Sequence, residues 1–491
     1  MPKFKRFESE RPTFNSLRYL TRVKPHYIQN AGYLVDPYVQ YCLQLIYGQE
    51  NLAEFEGYSR SFYTLEGHYN NLWKYDRPIL SMPNDPVLTS AIQHVTELYK
   101  LPKPVTPISW SKLKDVPFIP TSSSGWGYIG KKGEGNNHQI AIGRAVGSLY
   151  SWAENPHGFH YCPDLAWTRT QLAAVDQPKV RHVWGKSFHN IILEGITAAP
   201  LIEAYRQVCQ PMVIGTNLYR RLPLIIAKVL NSIDPDDKVI GVGLDIKSFD
   251  SSIQPWLINT AFDILRQNIA FDSIESELSF EYTRNFFIHT PVVMPDGKMW
   301  LKALGVPSGS YYTQIVDSIC NSILIAYAQK SIYDSFFETY VLGDDSLFGI
   351  PQHYGWPDLT QFATILSSLD ITLSTQKCVV ALRPDELHFL GHHARGTRCT
   401  RDDAELMLLS LYPEFPVLGP EDSLARITGI FIDSAFNSWK MLNLYRFMKI
   451  IFNTSTETSN YTSSDIHFLT SVVGLDCSPQ FINELKVFTI T

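Results

Sequence analysis

Four carboxylates carry the strongest chemical signal in this chain: Asp245 and Asp250 in Asp-Ile-Lys-Ser-Phe-Asp, and Asp344 and Asp345 in Gly-Asp-Asp. Oxygen donors of this kind suit a hard divalent cation such as Mg²⁺, which keeps several waters and needs only one or two protein carboxylates plus substrate phosphate. If the strand ending at Asp245 pairs with the strand beside Gly-Asp-Asp, at the roughly 4.8 Å strand spacing, the carboxylates converge on one point. Unpaired, they repel one another and call for cations. Two cations about 3.5–4 Å apart would activate an attacking oxygen and stabilise a leaving one in an in-line phosphoryl transfer. Alone, Gly-Asp-Asp is a common surface turn, so its weight comes from its neighbours.

The segment between the two acidic motifs adds to that chemistry. Gly305-Val-Pro-Ser308-Gly309-Ser310-Tyr-Tyr-Thr313 leads into a stretch where Ile315, Ile319 and Ile323 recur every fourth residue, with Val316 and Cys320 beside them. This spacing predicts a helix over Thr313 to Gln329, entered through Pro307 and Ser308. The Ser308-Gly309 pair lets backbone come close to a nucleotide or template. Hydroxyl and amide groups on the first helical turns can meet ribose hydroxyls, and Thr313, Asp317 and Asn321 share one face. By itself, Ser-Gly before a helix is more often just a cap.

The elements that must position these residues are legible in outline. Val239 to Leu244 is a short apolar run, bounded by the acidic turn Asp234-Pro235-Asp236-Asp237, and reads as a buried strand. Tyr340-Val341-Leu342 and Ser346 to Ile350 flank Gly343-Asp344-Asp345 and predict a tight hairpin with an acidic tip. A second hairpin or strand pair is expected around Leu387 to Gly391, and a helix over Ser438 to Ile450 with aromatics among its Lys and Arg. Thr121 to Gly135 is rich in turn formers and reads as a long loop. The first 120 residues, with scattered prolines, read as irregular segments and short helices. Strands and helices follow one another without strict β-α-β alternation, which favours an α+β fold.

Composition sets outer bounds. The 491 residues allow about three packed units. Apolar residues make up 45% and charged residues 18%, with a formal charge of -6, which excludes disorder as the main state and a simple basic coat protein for nucleic acid. The N-terminus shows no signal-peptide core and no run of about 18 apolar residues occurs, so a soluble, non-secreted protein is expected. Seven cysteines, an odd number with no C-x-x-C spacing, argue against a disulfide framework and a structural zinc site. On that expectation the sequons at Asn453 and Asn460 carry little meaning. His157, His160 and Cys162 have metal-ligand types without a partner cysteine pair, and His392-His393, adjacent on a strand, should point to opposite faces.

Asp245-x4-Asp250, then Ser308-Gly309-x3-Thr313 with Asn321 downstream, then Gly343-Asp344-Asp345, in that order, resemble motifs A, B and C of viral RNA-dependent RNA polymerases. The run from Gly305 to Asn321 most resembles the polymerases of partitiviruses, with picobirnavirus enzymes as relatives, and the resemblance is specific over residues 121–400. It implies an α+β right-hand polymerase with an antiparallel palm sheet and a helical thumb. The implied parts are an N-terminal extension over 1–120 bridging fingers and thumb, fingers over 121–237 and 251–300, palm over 238–250 and 301–400, and thumb over 401–491. Asp245 and Asp344 become ligands of two Mg²⁺ ions, with Mn²⁺ a substitute and Asp345 an auxiliary metal carboxylate.

The same resemblance implies further roles. Lys179-Val-Arg181-His-Val-Trp-Gly-Lys186 is similar to motif F, so Lys179, Arg181 and Lys186 are expected to neutralise the incoming triphosphate, as an Arg fork can. Cations concentrated where phosphate enters let an acidic chain serve phosphate. Lys377 falls where motif D has a lysine that protonates the pyrophosphate leaving group, help typically worth about 10²–10⁴-fold. Asp250, Ser308, Gly309, Thr313 and Asn321 complete the nucleotide site. Asp250 can accept a 2′-hydroxyl, so ribonucleotides are the expected substrate. Many positive-strand RNA virus enzymes have Asn where this chain has Asp317. Asn321 is favoured for the amide role because a second acid beside Asp250 adds repulsion, and the choice between them stays open. Phe389-Leu390-Gly391 resembles motif E, a hairpin that positions the priming 3′ end, and Ser123, Ser124 and Gly125 resemble motif G on the template path.

Implied partners are RNA template and product, single- and double-stranded, rNTPs and a viral capsid protein, with no membrane. The implied setting is the virion interior and the host cytoplasm, where the enzyme replicates and transcribes a double-stranded RNA genome. Two other readings compete: a reverse transcriptase-like polymerase, and an inactive RNA-binding scaffold that keeps a degenerate palm. Against the scaffold, every expected carboxylate is present.

Overall fold

The computed structural model describes residues 16–26, 32–48, 50–177, 179–208, 211–215, 218–231 and 238–452. The acidic turn at 234–237, Cys209, Cys477 and the sequons at Asn453 and Asn460 lie outside them.

The N-terminal part holds β1 (Leu17–Arg22), α1 (Pro37–Tyr47), β2 (Tyr58–Ser59), α2 (Leu65–Leu72) and α3 (Pro86–Leu98). It is therefore more regular than the scattered prolines suggest. Asp36-Pro37 and Asp85-Pro86 are helix starts, in which an acidic cap accepts backbone N–H groups and proline takes the first helical position. Next come α4 (Asn137–Glu154), β3 (Asp164–Gln171), β4 (Ala173–Ala174), β5 (Lys179–Gly185), α5 (Phe188–Gln207) and α6 (Leu218–Val229). They are followed by β6 (Val239–Gly243), α7 (Pro255–Arg266), α8 (Ile274–Ile288), β7 (Thr290–Val293) and β8 (Lys298–Lys302). A five-stranded sheet in the order β1-β8-β7-β3-β5 gathers strands from three distant stretches, with β3 parallel to β7 and its other pairs antiparallel.

The second half holds α9 (Thr313–Tyr333), β9 (Thr339–Leu342), β10 (Asp345–Pro351), α10 (Leu359–Ser367) and β11 (Val379–Ala381). After them come β12 (His388–Phe389), β13 (His392–Arg395), β14 (Arg398–Thr400), α11 (Asp403–Leu411), α12 (Pro420–Asp433) and α13 (Trp439–Phe452). Strands β11-β6-β10-β9 form an antiparallel sheet, the palm expected from the resemblance. Helix α9 lies against it, with α3, α7 and α10 packed around α9, which explains why its sequence is apolar on more than one face. Val242, Ile258, Phe262, Ile319, Ile323 and Phe348 share this core. Each such side chain contributes roughly 1.5–3 kcal/mol by burial, enough for the core to fix the β6–β10 register, since a one-residue slip would turn every side chain over. Helix α7, just past residue 250, joins this core through Leu257, Ile258 and Phe262.

Helices α11, α12 and α13 pack on α1, where Val39 and Leu43 meet Leu424, Met441 and Leu444. Asp36, fully buried, receives hydrogen bonds from Ser423 Oγ at 2.9 Å and Arg426 at 2.7 Å. The N-terminal segment thus touches the five-stranded sheet through β1 and the C-terminal helices through α1. Cys42, Cys162, Cys320, Cys378 and Cys399 are free thiols. Among the described residues no helix is long and apolar enough to cross a membrane.

Candidate active site

The β6–β10 register pairs Phe348 with Val242 and Ile350 with Ile240. Continued toward the hairpin tip, it sets Ser346 beside Leu244 and Asp345 beside Asp245; Ser346 Oγ indeed donates to Leu244 O, at 3.5 Å. Asp245 is gripped through its backbone, its N–H donating to Cys378 Sγ at 3.3 Å and its carbonyl accepting from Ser374 N at 2.7 Å. Asp344 stands exposed at the tip. Gly343, at φ +64°, makes the turn that a side chain would strain, and its N–H donates to Ser318 Oγ at 2.9 Å. Asn321 Nδ2 donates to the carbonyls of Gly343 and Asp344, both at 3.0 Å.

The electrostatics are those of crowded acids. Burial, then Asp344 and Asp245, push the Asp345 carboxyl up to about 7, against the pull of Arg181. Asp250 is raised above the usual carboxylate range by burial first; Arg181 opposes this and Asp344 adds to it. Asp317 is raised well above that range by burial, then by Asp250 and Asp344. Arg181, 3.8 Å from Asp250 Oδ2, is the one base ion-paired with these acids among the described residues.

The loop before α9 is docked on β5. Ser308 Oγ donates to His182 O at 3.0 Å, and a Cβ on Gly309 would run into the Trp184 carbonyl. Thr313 Oγ1 donates to Pro307 O at 2.6 Å and accepts from Ser310 N at 3.2 Å. The Ser308 and Thr313 hydroxyls therefore both shape the loop. The Asn321 amide braces the hairpin tip, while the Asp317 carboxyl, one turn earlier on α9, lies close enough to feel the charge of Asp250.

Strand β5 alternates, with Lys179 and Arg181 outward and Val180, His182 and Trp184 inward. Lys186 does not join the outward set. Its ammonium is 1% exposed and 3.3 Å from both Asp164 Oδ2 and Glu194 Oε1, so it is turned inward, away from the exposed cations of β5. Three cations escaped the sequence reading. Arg169 lies across β3 from Arg181, and Lys74 is close enough to Lys247 and Arg181 for their charges, after burial, to lower its pKa. The alternation around Arg169 was visible, but its pairing with Arg181 was not.

The remaining expected residues lie around this centre. Lys377 is exposed on the turn whose Ser374 binds Asp245, its N–H donating to Ser374 O at 2.8 Å. Leu390 and Gly391, at φ +54° and +73°, form the two-residue turn of the β12–β13 hairpin, with Phe389 buried beneath. Ser123 lines a cleft of about 860 Å³ together with Lys132, Arg169, Gly309 and Tyr311, and Glu414 from the α11–α12 connection. Ser124 and Gly125 instead lock the loop: Ser124 O accepts from Phe188 N at 2.9 Å, and Gly125 sits at φ +79°. His392 turns to Asp433 and His393 toward His388, on opposite faces. Among the described residues no three His, Cys, Asp or Glu side chains gather tightly enough to enclose an ion on their own, the His157–Cys162 stretch included.

The family described as viral RNA-dependent RNA polymerase matches residues 47–449. The RNA-directed RNA polymerase of Cryptosporidium parvum virus 1 (strain KSU-1) is 33% identical over 187 residues, covering 36% of this chain and 33% of that protein. The genome polyprotein of Ljunganvirus 1 is 25% identical over 254 residues, half of this chain and 10% of that protein. The chain thus spans a third or less of the length of these relatives. Among solved structures, the RNA-dependent RNA polymerase of a human picobirnavirus superposes with a TM-score of 0.66 at 17% identity, covering 91% of this chain and 88% of that one. The Sicinivirus 3Dpol RNA-dependent RNA polymerase gives 0.69 at 12%, covering 94% and 100%. The fold is that of a right-hand polymerase.

Proposed function

Because this chain belongs to the family of viral RNA-dependent RNA polymerases, we propose that it extends an RNA 3′ end along an RNA template, with Asp245 and Asp344 as metal ligands. The observation that carries this reading is the continued β6–β10 register, which brings two acidic motifs a hundred residues apart to one strand end.

The donor set fits a divalent cation: it is all carboxylate oxygen, and burial, then the neighbouring acids Asp344 and Asp245, raise the Asp345 carboxyl. Since no three side chains among the described residues enclose an ion, Asp245 and Asp344 would supply two ligands, and water and nucleotide phosphate the rest. Mg²⁺, or Mn²⁺ in its place, would supply charge neutralisation to the attacking and leaving oxygens. Around it, Arg181 and Lys179 present exposed cations to the triphosphate, and Asp250 accepts the ribose 2′-hydroxyl. The 3′-hydroxyl loses its proton to solvent as its oxygen bonds to the α-phosphorus, the bond from that phosphorus to the oxygen bridging the α- and β-phosphates breaks, and Lys377 gives its proton to the departing pyrophosphate. The motif spelling supports a double-stranded RNA genome of partitivirus or picobirnavirus type, and on that reading we propose work inside a capsid in the host cytoplasm with a capsid protein as partner.

The test is radiolabelled synthesis with Mg²⁺ on single- and double-stranded RNA, comparing rNTPs with dNTPs and wild type with Asp344→Asn. Ribonucleotide incorporation abolished by the substitution is expected. Activity surviving it removes Asp344 from the metal site, a DNA product favours a reverse transcriptase, and silence in both forms favours an inert scaffold.

A further inference from the structure

The segment after α2 crosses the palm as a strap. Tyr75 OH donates to Val306 O at 3.1 Å, at the root of the loop before α9. Leu80 N donates to Gln254 Oε1 at 3.0 Å, and Gln254 Nε2 returns a bond to Pro78 O at 3.0 Å, just after Asp250. Between them, Arg77 forks onto one residue. Its Nε lies 3.1 Å from Asp370 Oδ2 and its NH2 2.9 Å from Asp370 Oδ1, and the same NH2 donates to the Asp370 carbonyl. Asp370 stands at φ +62°, a conformation that costs an L residue roughly 1–2 kcal/mol and persists where neighbours hold it.

Beyond Asp370 the chain touches the chemistry. Thr372 O accepts from Lys247 N at 2.9 Å, Leu373 bridges to Ile246, and Ser374 N donates to Asp245 O at 2.7 Å. Three residues on is Lys377, and then Cys378, whose sulfur takes the Asp245 N–H. Asp245 is thus held on both sides of its backbone by a seven-residue stretch whose upstream end Arg77 fixes. Arg77 itself is turned to Asp370 and takes no part in the proposed nucleotide or metal contacts.

We infer that Arg77 is a positioning residue for nucleotidyl transfer: by clamping Asp370 it sets the 372–378 turn, and through it the Asp245 backbone and the Lys377 side chain. The inference rests on the roles proposed above for Asp245 and Lys377, so its test includes a readout that does not. In hydrogen exchange, Arg77→Ala should speed exchange at least tenfold in peptides covering 371–378 and leave those covering 239–243 unchanged. In primer extension, kcat should fall about tenfold with KM for the nucleotide within twofold, because the triphosphate contacts lie on β5. Asp370→Asn, which keeps the carbonyl bond but loses the carboxylate fork, should show a smaller loss, and the exchanged pair Arg77→Asp with Asp370→Arg should recover part of it. If Arg77→Ala does not fold, Asp370→Asn and the exchanged pair carry the same comparison. Wild-type exchange over 371–378 in a folded variant overturns the clamp. Faster exchange with unchanged kcat overturns its link to catalysis while leaving the polymerase reading intact, and loss of kcat accompanied by a parallel rise in KM also overturns it.

Discussion

Gly305 is where a single methyl group should separate the two motifs that meet at the nucleotide. It stands at φ +78°, and a Cβ there would lie 2.6 Å from the carbonyl oxygen of Asp250 and 2.7 Å from the buried ring of Tyr75. An ordinary carbon–oxygen approach is about 3.3 Å, so the Asp250 backbone would have to retreat by roughly 0.7 Å. It cannot do so freely. The same carbonyl accepts from Val306 N at 2.7 Å, Gly305 N donates to Ile253 O at 3.0 Å, and the Tyr75 hydroxyl is bound to Val306 O. Gly305→Ala therefore adds about 1–2 kcal/mol of backbone strain and about 1–3 kcal/mol of overpacking. Displacements of order 1 Å cost about 10²-fold in rate where geometry sets the reaction, so kcat/KM for rNTPs should fall between about tenfold and 10²-fold. Discrimination against dNTPs should narrow as Asp250 moves. The control is Gly143→Ala, where an added Cβ meets nothing within 4 Å. Primer extension with matched rNTP and dNTP, beside thermal unfolding, decides the matter. A Gly305→Ala enzyme with kcat/KM and sugar discrimination within twofold of wild type would refute the steric reasoning.

Other substitutions separate positioning from contact. Lys186→Met leaves Asp164 and Glu194 buried without their cation and should cost about 3–5 kcal/mol in urea unfolding, yet leave KM for the nucleotide within twofold in molecules that fold. Arg181→Ala should do the reverse, raising KM with little change in unfolding. Asn321→Leu strips the donor from the Gly343 and Asp344 carbonyls, which should cost about 1–3 kcal/mol and lower kcat; a variant with unaltered unfolding and kcat would mean the brace is idle. For His392, burial works to lower the pKa, but the Asp433 carboxylate and the carbonyls of Leu390 and Asp433, at 2.7 and 2.9 Å from its two ring nitrogens, outweigh it and raise the pKa above 6.5. Only the imidazolium can donate to both carbonyls. Its contribution is complete below pH 6.5 and is lost as pH climbs through the raised value, so the unfolding midpoint should drop over that climb in the wild type and less in His392→Gln.

Much of this site was legible because its elements are short and strongly patterned. The apolar run before Asp245, the every-fourth-residue isoleucines of α9 and the glycine at the hairpin tip are local signals, and each produced its element. What stayed hidden was set by partners far along the chain. That α1 docks on the C-terminal helices depends on Asp36 meeting Ser423 and Arg426, which no window of residues contains. Lys186 looks like Lys179 in sequence. The strand alternation that turns Lys179 and Arg181 outward stops at Gly185, however, and beyond it the chain turns into α5, so the outward phase cannot be extended to Lys186. The choice between Asp317 and Asn321 was open in the sequence for a different reason. Four helical residues span about 6 Å, so one of the two lies level with Asp250 and the other with the hairpin tip, and only the crossing of β9–β10 over α9 says which. Repulsion from Asp250 would also count against Asp317 only if Asp317 were charged. Burial holds its carboxyl well above the usual range, and a protonated acid can donate a hydrogen bond as the missing amide would, without adding charge beside Asp250.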